Sequence, residues 1–285
     1  MIFPEISDHD WLDDLVDVAL AEDIGSGDVT SEAVINDQKK AKAIWVAKQN
    51  GIIAGLGVAK LVFQKLDEEI EWNPFIKDGD TVRKGDTIVE FQGNCRAVLT
   101  AERTALNFVQ RMSGIATKTY ELVLKLEGTS TKILDTRKTV PGLRRLDKIA
   151  VKTGGGNNHR MGLFDLAMIK DNHILAAGSI KDAVERVRSK DPDIRVEVET
   201  TTLAQVDEAM KAKADIIMLD NMSIEQMREA VEKIGNRAET EASGNITIEN
   251  IRQVAKTGVN FISVGALTHS VQAFDISQSI KEIFE

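Results

Sequence analysis

The spacing of apolar side chains divides the chain into stretches with different secondary structure. Near residues 9–22, apolar positions recur every three or four residues, which predicts an amphipathic helix. From residue 41 to residue 92 the pattern becomes short alternating runs broken by glycines, as in an antiparallel sheet. Thr100 is a favourable N-cap residue for a long helix that runs to about Gly114. The N-terminal part therefore predicts a β-rich layer flanked by helices.

Strand-like and helical stretches alternate through the rest of the chain. Helical periodicity marks residues 180–188, 203–211, 224–234 and 248–257. The apolar runs that we predict to be parallel strands are residues 132–135, 167–170, 195–199, 216–220, 238–242 and 261–264. This alternation is typical of a β/α barrel. Because a complete eightfold barrel uses roughly 200 residues or more and this region has about 140, we expect an incomplete parallel barrel of about six or seven strands.

These patterns together predict an α/β protein with two domains. Residues 1–114 are expected to form an N-terminal α+β sandwich domain, joined by the C-terminal residues 272–285, and residues 115–271 the β/α barrel. Within the first domain, residues 76–86 resemble the turns of barrel-sandwich domains related to biotinyl and lipoyl carriers. The segment lacks the lysine between two methionines that holds the cofactor in such carriers. We therefore interpret this likeness as one of architecture only.

Composition argues against several classes of function. The net charge of −9 disfavours a general nucleic-acid surface, because binding to a phosphate backbone needs broad positive potential. No apolar stretch approaches the roughly 18 residues that cross a bilayer, so we expect no membrane partner. The first residues carry no export signal, and Cys95 is the only cysteine, which rules out an intrachain disulfide. We therefore expect a protein of the reducing cytoplasm.

Positive charge is nevertheless concentrated in one region of this acidic chain. Between Arg137 and Asp171 there are eight lysines and arginines but only three aspartates, which gives the segment a net charge of +5. Such a run of charge is usually a solvated surface. The alternative is a binding site for small substrates that carry several negative charges.

Polar side chains recur where the predicted barrel strands end. These positions are residues 135–138, 170–173, 199–201, 220–221, 241–245 and 265–266. The carboxyl ends of the strands are where β/α barrels carry their chemistry. Core packing does not explain charged residues at the same end of strand after strand, so the pattern favours a functional site.

Several motifs together resemble one family. They are TAER at 100–103, DTRKTVPGLR at 135–144, KTGGGNNHR at 152–160, IKDNH at 169–173 and GALTH at 265–269. From about Glu22 to the last turn, the chain closely resembles the quinolinate phosphoribosyltransferases. The resemblance implies a decarboxylating enzyme of de novo NAD biosynthesis. Its substrates would be quinolinate and phosphoribosyl pyrophosphate, and its products nicotinate mononucleotide, CO2 and pyrophosphate.

The resemblance also implies which residues bind quinolinate. Arginine suits a dicarboxylate because its planar fork forms two parallel hydrogen bonds with a carboxylate. Arg103 would reach the pocket from a neighbouring subunit, so the active site would be shared within a homodimer, and a higher homo-oligomer stays open. The residues that would line the quinolinate pocket from within one chain are Arg137, His159, Arg160 and Lys170.

Other residues would bind phosphoribosyl pyrophosphate. Lys138 would approach its phosphates. Glu199 and Asp220 would lie near its ribose hydroxyls or ligate the Mg²⁺ that accompanies it, although both could instead be plain ion-pair partners. Lys138, Lys170, Glu199 and Asp220 are the candidate catalytic residues. Backbone N–H groups that open a helix near Thr247 would bind the 5′-phosphate, and the residues expected there are Ser243, Gly244, Asn245, Gly265 and His269.

Two glycine-containing segments call for separate interpretation. The run 154–156 has neither the spacing of a dinucleotide fingerprint nor that of a Walker loop. It predicts a flexible active-site loop that delivers residues 158–160 to a substrate, and a plain connector is the alternative. The segment GSGDVTS at 25–31 looks like a further hallmark of the family, but its sequence suggests no mechanistic role.

Two other functions remain as alternatives. One is a related phosphoribosyltransferase that acts on a different anionic ring. Such an enzyme would keep the phosphate-binding loops and change the arginine cluster, which is intact here. The other is a non-catalytic barrel that binds a sugar phosphate, which would bind substrate without turnover.

Overall fold

The computed structural model describes residues 10–285, so residues 1–9, including the first position of the helix predicted at 9–22, lie outside the described residues. The chain divides into two compact units. One unit extends to Thr117 and includes Val271–Glu285, and the other is Lys118–Ser270. Among the described residues, no helix combines the length and apolar character that crossing a bilayer requires.

The first unit contains the predicted antiparallel sheet. Its helices are α1 Asp10–Ile24, α2 Val29–Val34, α3 Leu56–Leu66, α4 Cys95–Thr100 and α5 Glu102–Lys125, which continues past the unit boundary. Its strands are β1 Lys40–Ala47, β2 Gly51–Ile52, β3 Glu71–Pro74, β4 Thr81–Val82, β5 Thr87–Asn94 and the C-terminal β12 Ile276–Phe284. The main sheet has the antiparallel order β12-β1-β5-β3, and β2 pairs with β4.

An aromatic cluster forms part of the core of this unit. The ring centroids of Phe63 and Phe91 lie 4.7 Å apart, and Trp45 meets Phe91 edge to face at 5.9 Å. Trp45 is fully buried, and its indole N–H donates to Gln278 Oε1 at 2.9 Å. Because Gln278 lies on β12, this bond ties the C-terminal strand to the centre of the sheet.

Thr100 does not cap the long helix, and that helix is longer than predicted. Thr100 is the last residue of α4, and α5 begins at Glu102 and runs to Lys125 rather than to about Gly114. The Thr100 hydroxyl donates instead to Asp28 Oδ2 at 2.8 Å. Asp28 is also the N-cap of α2, where Oδ1 accepts from the Ser31 N–H at 3.0 Å. The 25–31 segment therefore joins α2 to α4.

The second unit is the predicted incomplete barrel with six parallel strands. The strands are β6 Lys132–Leu134, β7 Ala167–Ile169, β8 Val196–Thr200, β9 Ile216–Asp220, β10 Glu239–Ser243 and β11 Phe261–Ser263. The helices are α6 Arg144–Thr153, α7 Asp171–Ala177, α8 Ile180–Lys190, α9 Leu203–Lys211, α10 Ile224–Ile234, α11 Ile251–Ala255 and α12 Ala266–His269. The strand order is β6-β11-β10-β9-β8-β7.

An irregular segment takes the place of a further strand beside β6. Asn157 forms a parallel bridge with Leu134: its N–H donates to Ile133 O at 2.8 Å, and its carbonyl accepts from the Asp135 N–H at 3.1 Å. This pairing fixes the chain that follows the glycine run. As a result, His159 and Arg160 enter the barrel from a segment tied to a strand.

Candidate active site

A cavity of about 810 Å³ opens at the carboxyl ends of the barrel strands. Its lining carries two arginines and two lysines against three carboxylates, which favours anionic ligands. A larger groove, of about 1210 Å³, runs by the opposite strand ends, where arginines such as Arg195 pair with carboxylates such as Glu239. The predicted site residues that line the first cavity are Arg137, Lys138, His159, Arg160, Lys170, Glu199, Asp220, Ser243, Gly244, Asn245, Gly265 and His269.

Arg103 is the one predicted site residue that does not line this cavity. It is an exposed residue of α5 in the first unit. Its proposed reach into the pocket of a neighbouring subunit stays a prediction.

A buried ion pair holds the segment that carries His159. The Lys148 ammonium contacts Asp135 Oδ1 and donates to the His159 carbonyl at 3.0 Å. Asp135 in turn accepts from the Asn158 amide and from the His159 N–H. Burial raises the pKa of the Asp135 carboxyl and lowers that of the Lys148 ammonium, and their mutual attraction opposes both shifts. Both residues fall within recognised motifs or charge runs, but their sequence context does not indicate that they are buried.

His159 lies between two buried carboxylates. Its Nε2 is 2.9 Å from Glu197 Oε2 and 3.4 Å from Glu241 Oε2. Burial alone lowers the pKa of His159, but the hydrogen bond with Glu197 and the charges of both glutamates outweigh it and raise that pKa to about 10. Burial, and then repulsion from Glu241, raise the pKa of Glu197 to about 7. Within residues 10–285, this trio is the one group of three or more His, Cys, Asp or Glu side chains close enough to hold a metal ion.

A backbone carbonyl holds the side chain of Arg160, and a third arginine, Arg144, binds the backbone of Arg137. Arg160 donates to the Leu166 carbonyl at 3.1 Å. Arg144 donates to the carbonyls of Arg137, at 3.4 Å, and of Met161, at 3.2 Å. Burial, followed by repulsion from Arg137, lowers the pKa of Arg160. Arg137 Nε is buried and has no hydrogen-bond partner among the described residues.

Lys170, Glu199 and Asp220 also line the cavity. The Lys170 ammonium forms an ion pair with Glu199 Oε2, and Asp220 Oδ2 accepts from the Asn221 amide at 2.8 Å. Oxygen donors of this kind suit Mg²⁺, which needs only one or two protein carboxylates when it also binds phosphates. Glu199 and Asp220 therefore fit the ion that the sequence suggested, without forming a closed cage.

The loop that contains Ser243, Gly244 and Asn245 does not lead directly into a helix. The predicted helix start near Thr247 is wrong, because residues 248–250 form a turn and α11 begins at Ile251. Asn245 instead has a φ of +53°, and its amide donates to Asn221 Oδ1 at 3.0 Å. Gly265 immediately precedes α12, whose last residue is His269.

Comparison with known proteins identifies close relatives over both units. Residues 28–113 match the family model of the quinolinate phosphoribosyl transferase N-terminal domain, and residues 115–279 match that of the C-terminal domain. The "Probable nicotinate-nucleotide pyrophosphorylase [carboxylating]" of Bacillus subtilis is 46% identical over 273 residues, 95% of this chain and 94% of its own.

A plant relative and a solved structure agree with these matches. The "Quinolinate phosphoribosyltransferase [decarboxylating] 2a, mitochondrial" of Nicotiana tabacum is 46% identical over 93% of this chain and 81% of its own. The crystal structure of NadC from Streptococcus pyogenes superposes with a TM-score of 0.91 at 42% identity and covers 96% of each chain.

Proposed function

The chain belongs to the quinolinate phosphoribosyltransferase family, and from this premise we propose how its residues perform the reaction. The enzyme transfers the phosphoribosyl group of phosphoribosyl pyrophosphate to quinolinate. It releases CO2 and pyrophosphate and forms nicotinate mononucleotide, a step of de novo NAD biosynthesis. The proposals below concern the residues, the ion and the assembly.

The observation that carries the proposed quinolinate pocket is the unsatisfied donor of Arg137. Its Nε is buried beside the cavity without a hydrogen-bond partner in the part of the chain that the structure describes, although buried polar groups in native proteins are nearly always hydrogen-bonded. An incoming carboxylate would accept from this atom. Arg160 and Lys170 line the same cavity, so both carboxylates of quinolinate would meet cations. Nicotinate, with one carboxylate, would leave part of this cluster unpaired.

The proposed mechanism depends mainly on positioning and charge. The pyridine nitrogen attacks C1 of the ribose as pyrophosphate departs, through a transition state with positive charge on the sugar. Lys138 stabilises the leaving phosphates, and Glu199 and Asp220 lie near the ribose hydroxyls. The ring nitrogen is then quaternary. It stabilises the electron pair left at C2 when that carboxylate leaves as CO2, and a proton then bonds to C2.

Glu199 and Asp220 are also the residues that we propose for Mg²⁺. Each presents a carboxylate to the cavity that Lys138 shares. The ion would supply charge neutralisation of the pyrophosphate group. Lys170, paired with Glu199, would orient that carboxylate before substrate enters.

The 5′-phosphate is proposed to bind where two loops face each other. Gly265 packs closely on Lys138 and His269, since a Cβ placed on it would lie 3.1 Å from Lys138 Cδ and 3.2 Å from His269 Cδ2. Ser243, Gly244 and Asn245 contribute backbone to the same cavity. Late-strand loops are a recurrent phosphate site in β/α barrels.

We further propose a homodimer in which Arg103 completes the partner's quinolinate pocket. Large apolar side chains on the barrel unit support an interface, since Leu163, Phe164 and Leu175 are 71%, 76% and 83% exposed. Mixing an Arg103→Ala subunit with a Lys138→Ala subunit should restore part of the activity, because one site in the mixed dimer would be intact. No recovery in a dimer shown to exchange subunits would argue for sites within one chain.

The proposed place of action is a reducing compartment such as the cytoplasm. Its support is that Cys95 is the only cysteine of the sequence, so the fold uses no intrachain disulfide. The named plant relative is mitochondrial, so location varies within the family.

The reaction is tested by mixing the purified protein with quinolinate, phosphoribosyl pyrophosphate and Mg²⁺ and following nicotinate mononucleotide. Nicotinate serves as the control acceptor. Product from quinolinate but not from nicotinate is expected. Product from another anionic ring alone would favour a related transferase, and binding without any product would favour a sugar-phosphate-binding barrel.

A further inference from the structure

Two buried glutamates beside His159, one of which lines the cavity, have no role in the mechanism described above. Glu197 lies on β8 and Glu241 on β10, and neither residue is exposed to solvent. Three of their four carboxylate oxygens have no hydrogen-bond partner among the described residues: Glu197 Oε1 and both oxygens of Glu241. The fold therefore holds two acidic groups in its interior that face the imidazole of His159 and leave most of their hydrogen-bonding capacity unused among the described residues.

This arrangement is unfavourable for stability. A buried carboxylate loses its hydration and regains it only through hydrogen bonds or a paired charge. Apolar residues of similar size in place of buried charges often leave a protein equally or more stable. Buried polar groups with few partners are expected mainly at functional sites. The position of the pair, next to His159 at the floor of the cavity, points to such a function.

The imidazole of His159 bridges the two glutamates and the next residue. Its Nε2 faces both carboxylates, with Glu197 Oε2 at 2.9 Å and Glu241 Oε2 at 3.4 Å. Its Nδ1 lies 2.7 Å from the backbone nitrogen of Arg160. The ring is thus held at both edges.

Glu197 also acts on Arg160 through charge. Arg137 and Arg160 line one cavity and repel each other, and the negative charge of Glu197 favours the charged form of Arg160. Asp165 acts in the same direction from the other side of the segment.

We propose that Glu197 and Glu241 are positioning residues that fix the ring of His159, and with it Arg160, in the geometry that receives quinolinate. The proposal rests on the proposed function, because it assumes that quinolinate binds against Arg160. Positioning acts before chemistry, so its loss weakens quinolinate binding in the absence of phosphoribosyl pyrophosphate.

The test compares Glu197→Gln, Glu241→Gln and the double variant with the wild type. Glutamine keeps the shape and can still accept a hydrogen bond, but it removes the charge. Glu239→Gln is the matched control, because Glu239 lies on the same strand as Glu241 and pairs with Arg195 away from the cavity. Calorimetry gives the Kd for quinolinate alone, thermal melting gives Tm, and steady-state kinetics gives the KM for each substrate.

The expected result separates function from stability. The Kd and KM for quinolinate should rise about tenfold in each single variant and further in the double variant, while the KM for phosphoribosyl pyrophosphate stays within about twofold. Tm should stay constant or increase in each single variant, because the repulsion between Glu197 and Glu241 is removed while one carboxylate still faces the His159 ring. Glu239→Gln should bind quinolinate like the wild type. The imidazole ¹⁵N signals of His159, assigned with His159→Gln, should shift in the glutamate variants and not in the control.

Two results would overturn the inference. One is unchanged quinolinate affinity in the double variant. The other is a parallel loss of Tm and of affinity for both substrates, which would indicate a purely structural role. If the wild type itself fails to bind or turn over quinolinate, the proposed function is wrong, and that outcome is distinct from either of these.

Discussion

Lys148 and Asp135 form an ion pair that solvent does not reach, directly beneath the segment that carries His159. Their side chains are 1% and 0% exposed. Removal of one member of a buried pair leaves the other charge uncompensated, and this typically costs about 3–5 kcal/mol. The pair is therefore a support of the active site that also stabilises the barrel.

Lys148→Met should lower the free energy of unfolding by about 3–5 kcal/mol, measured by urea denaturation. Adding Asp135→Asn to it should restore part of that loss, since no charge then remains buried and unpaired. Activity should not return, because the His159 carbonyl still lacks its donor. Full recovery of activity in the double variant would show that the pair does not position His159.

The arginines should not tolerate replacement by lysine. Arg137→Ala or Arg160→Ala should reduce kcat/KM for quinolinate roughly a hundredfold, because each removes a charged donor from the cavity. This reduction corresponds to a loss of about 3 kcal/mol of transition-state stabilisation. Arg160→Lys should recover little, since lysine lacks the planar fork. Lys170→Ala should also lower kcat/KM by orders of magnitude. Circular dichroism should confirm that the fold is intact, and near-normal turnover would contradict the assigned pocket.

Gly244 should matter for phosphoribosyl pyrophosphate rather than for quinolinate. Its φ is +91°, and a Cβ there would lie 2.2 Å from Asn221 Oδ1. Gly244→Ala should therefore displace the loop and raise the KM for phosphoribosyl pyrophosphate about tenfold. Gly258→Ala is the control, because its φ is +92° but it lies outside the cavity. Equal effects of the two variants on that KM would indicate general backbone strain.

Asp28 should stabilise the first unit in a manner that depends on pH. Hydrogen bonds from Ser31, and then from Thr100, lower its pKa from the ordinary value of 3.8. Its contribution is therefore present above pH 3.8 and is lost as the pH falls through the lowered pKa. Asp28→Ala should cost about 1 kcal/mol at pH 7, as expected for an N-cap. A stability difference that persists unchanged into strong acid would contradict this role.

Local pattern was sufficient to predict the strands and helices of the barrel, because each strand is a short apolar run between amphipathic helices. It was not sufficient at Thr100, whose hydroxyl bonds to Asp28 in a distant segment instead of capping the next helix. The turn at residues 248–250 was also missed, because the helical spacing of its apolar residues continues into α11.

The residues of the candidate site were likewise predicted only in part. Polar residues at strand ends identified the lining of the cavity, because parallel strands bring their carboxyl ends together. Glu197 was not recognised, because in the run Arg195 to Glu199 alternating charges on a strand are typical of a solvated face. Lys148 was counted only as one charge of the basic run, for which a solvated surface and a site for anionic substrates were the two interpretations. Closure of the strands around an interior turns Glu197 inward, and the packing of α6 buries Lys148; only the tertiary structure shows this.

The most direct test of the account uses quinolinate labelled in its C2 carboxyl group and follows the label in a single turnover. We predict that labelled CO2 forms in equal amount to nicotinate mononucleotide, and only when phosphoribosyl pyrophosphate is present, because the ring nitrogen must become quaternary first. Release of label without phosphoribosyl pyrophosphate, or a nucleotide product that keeps the label, would contradict the proposed mechanism.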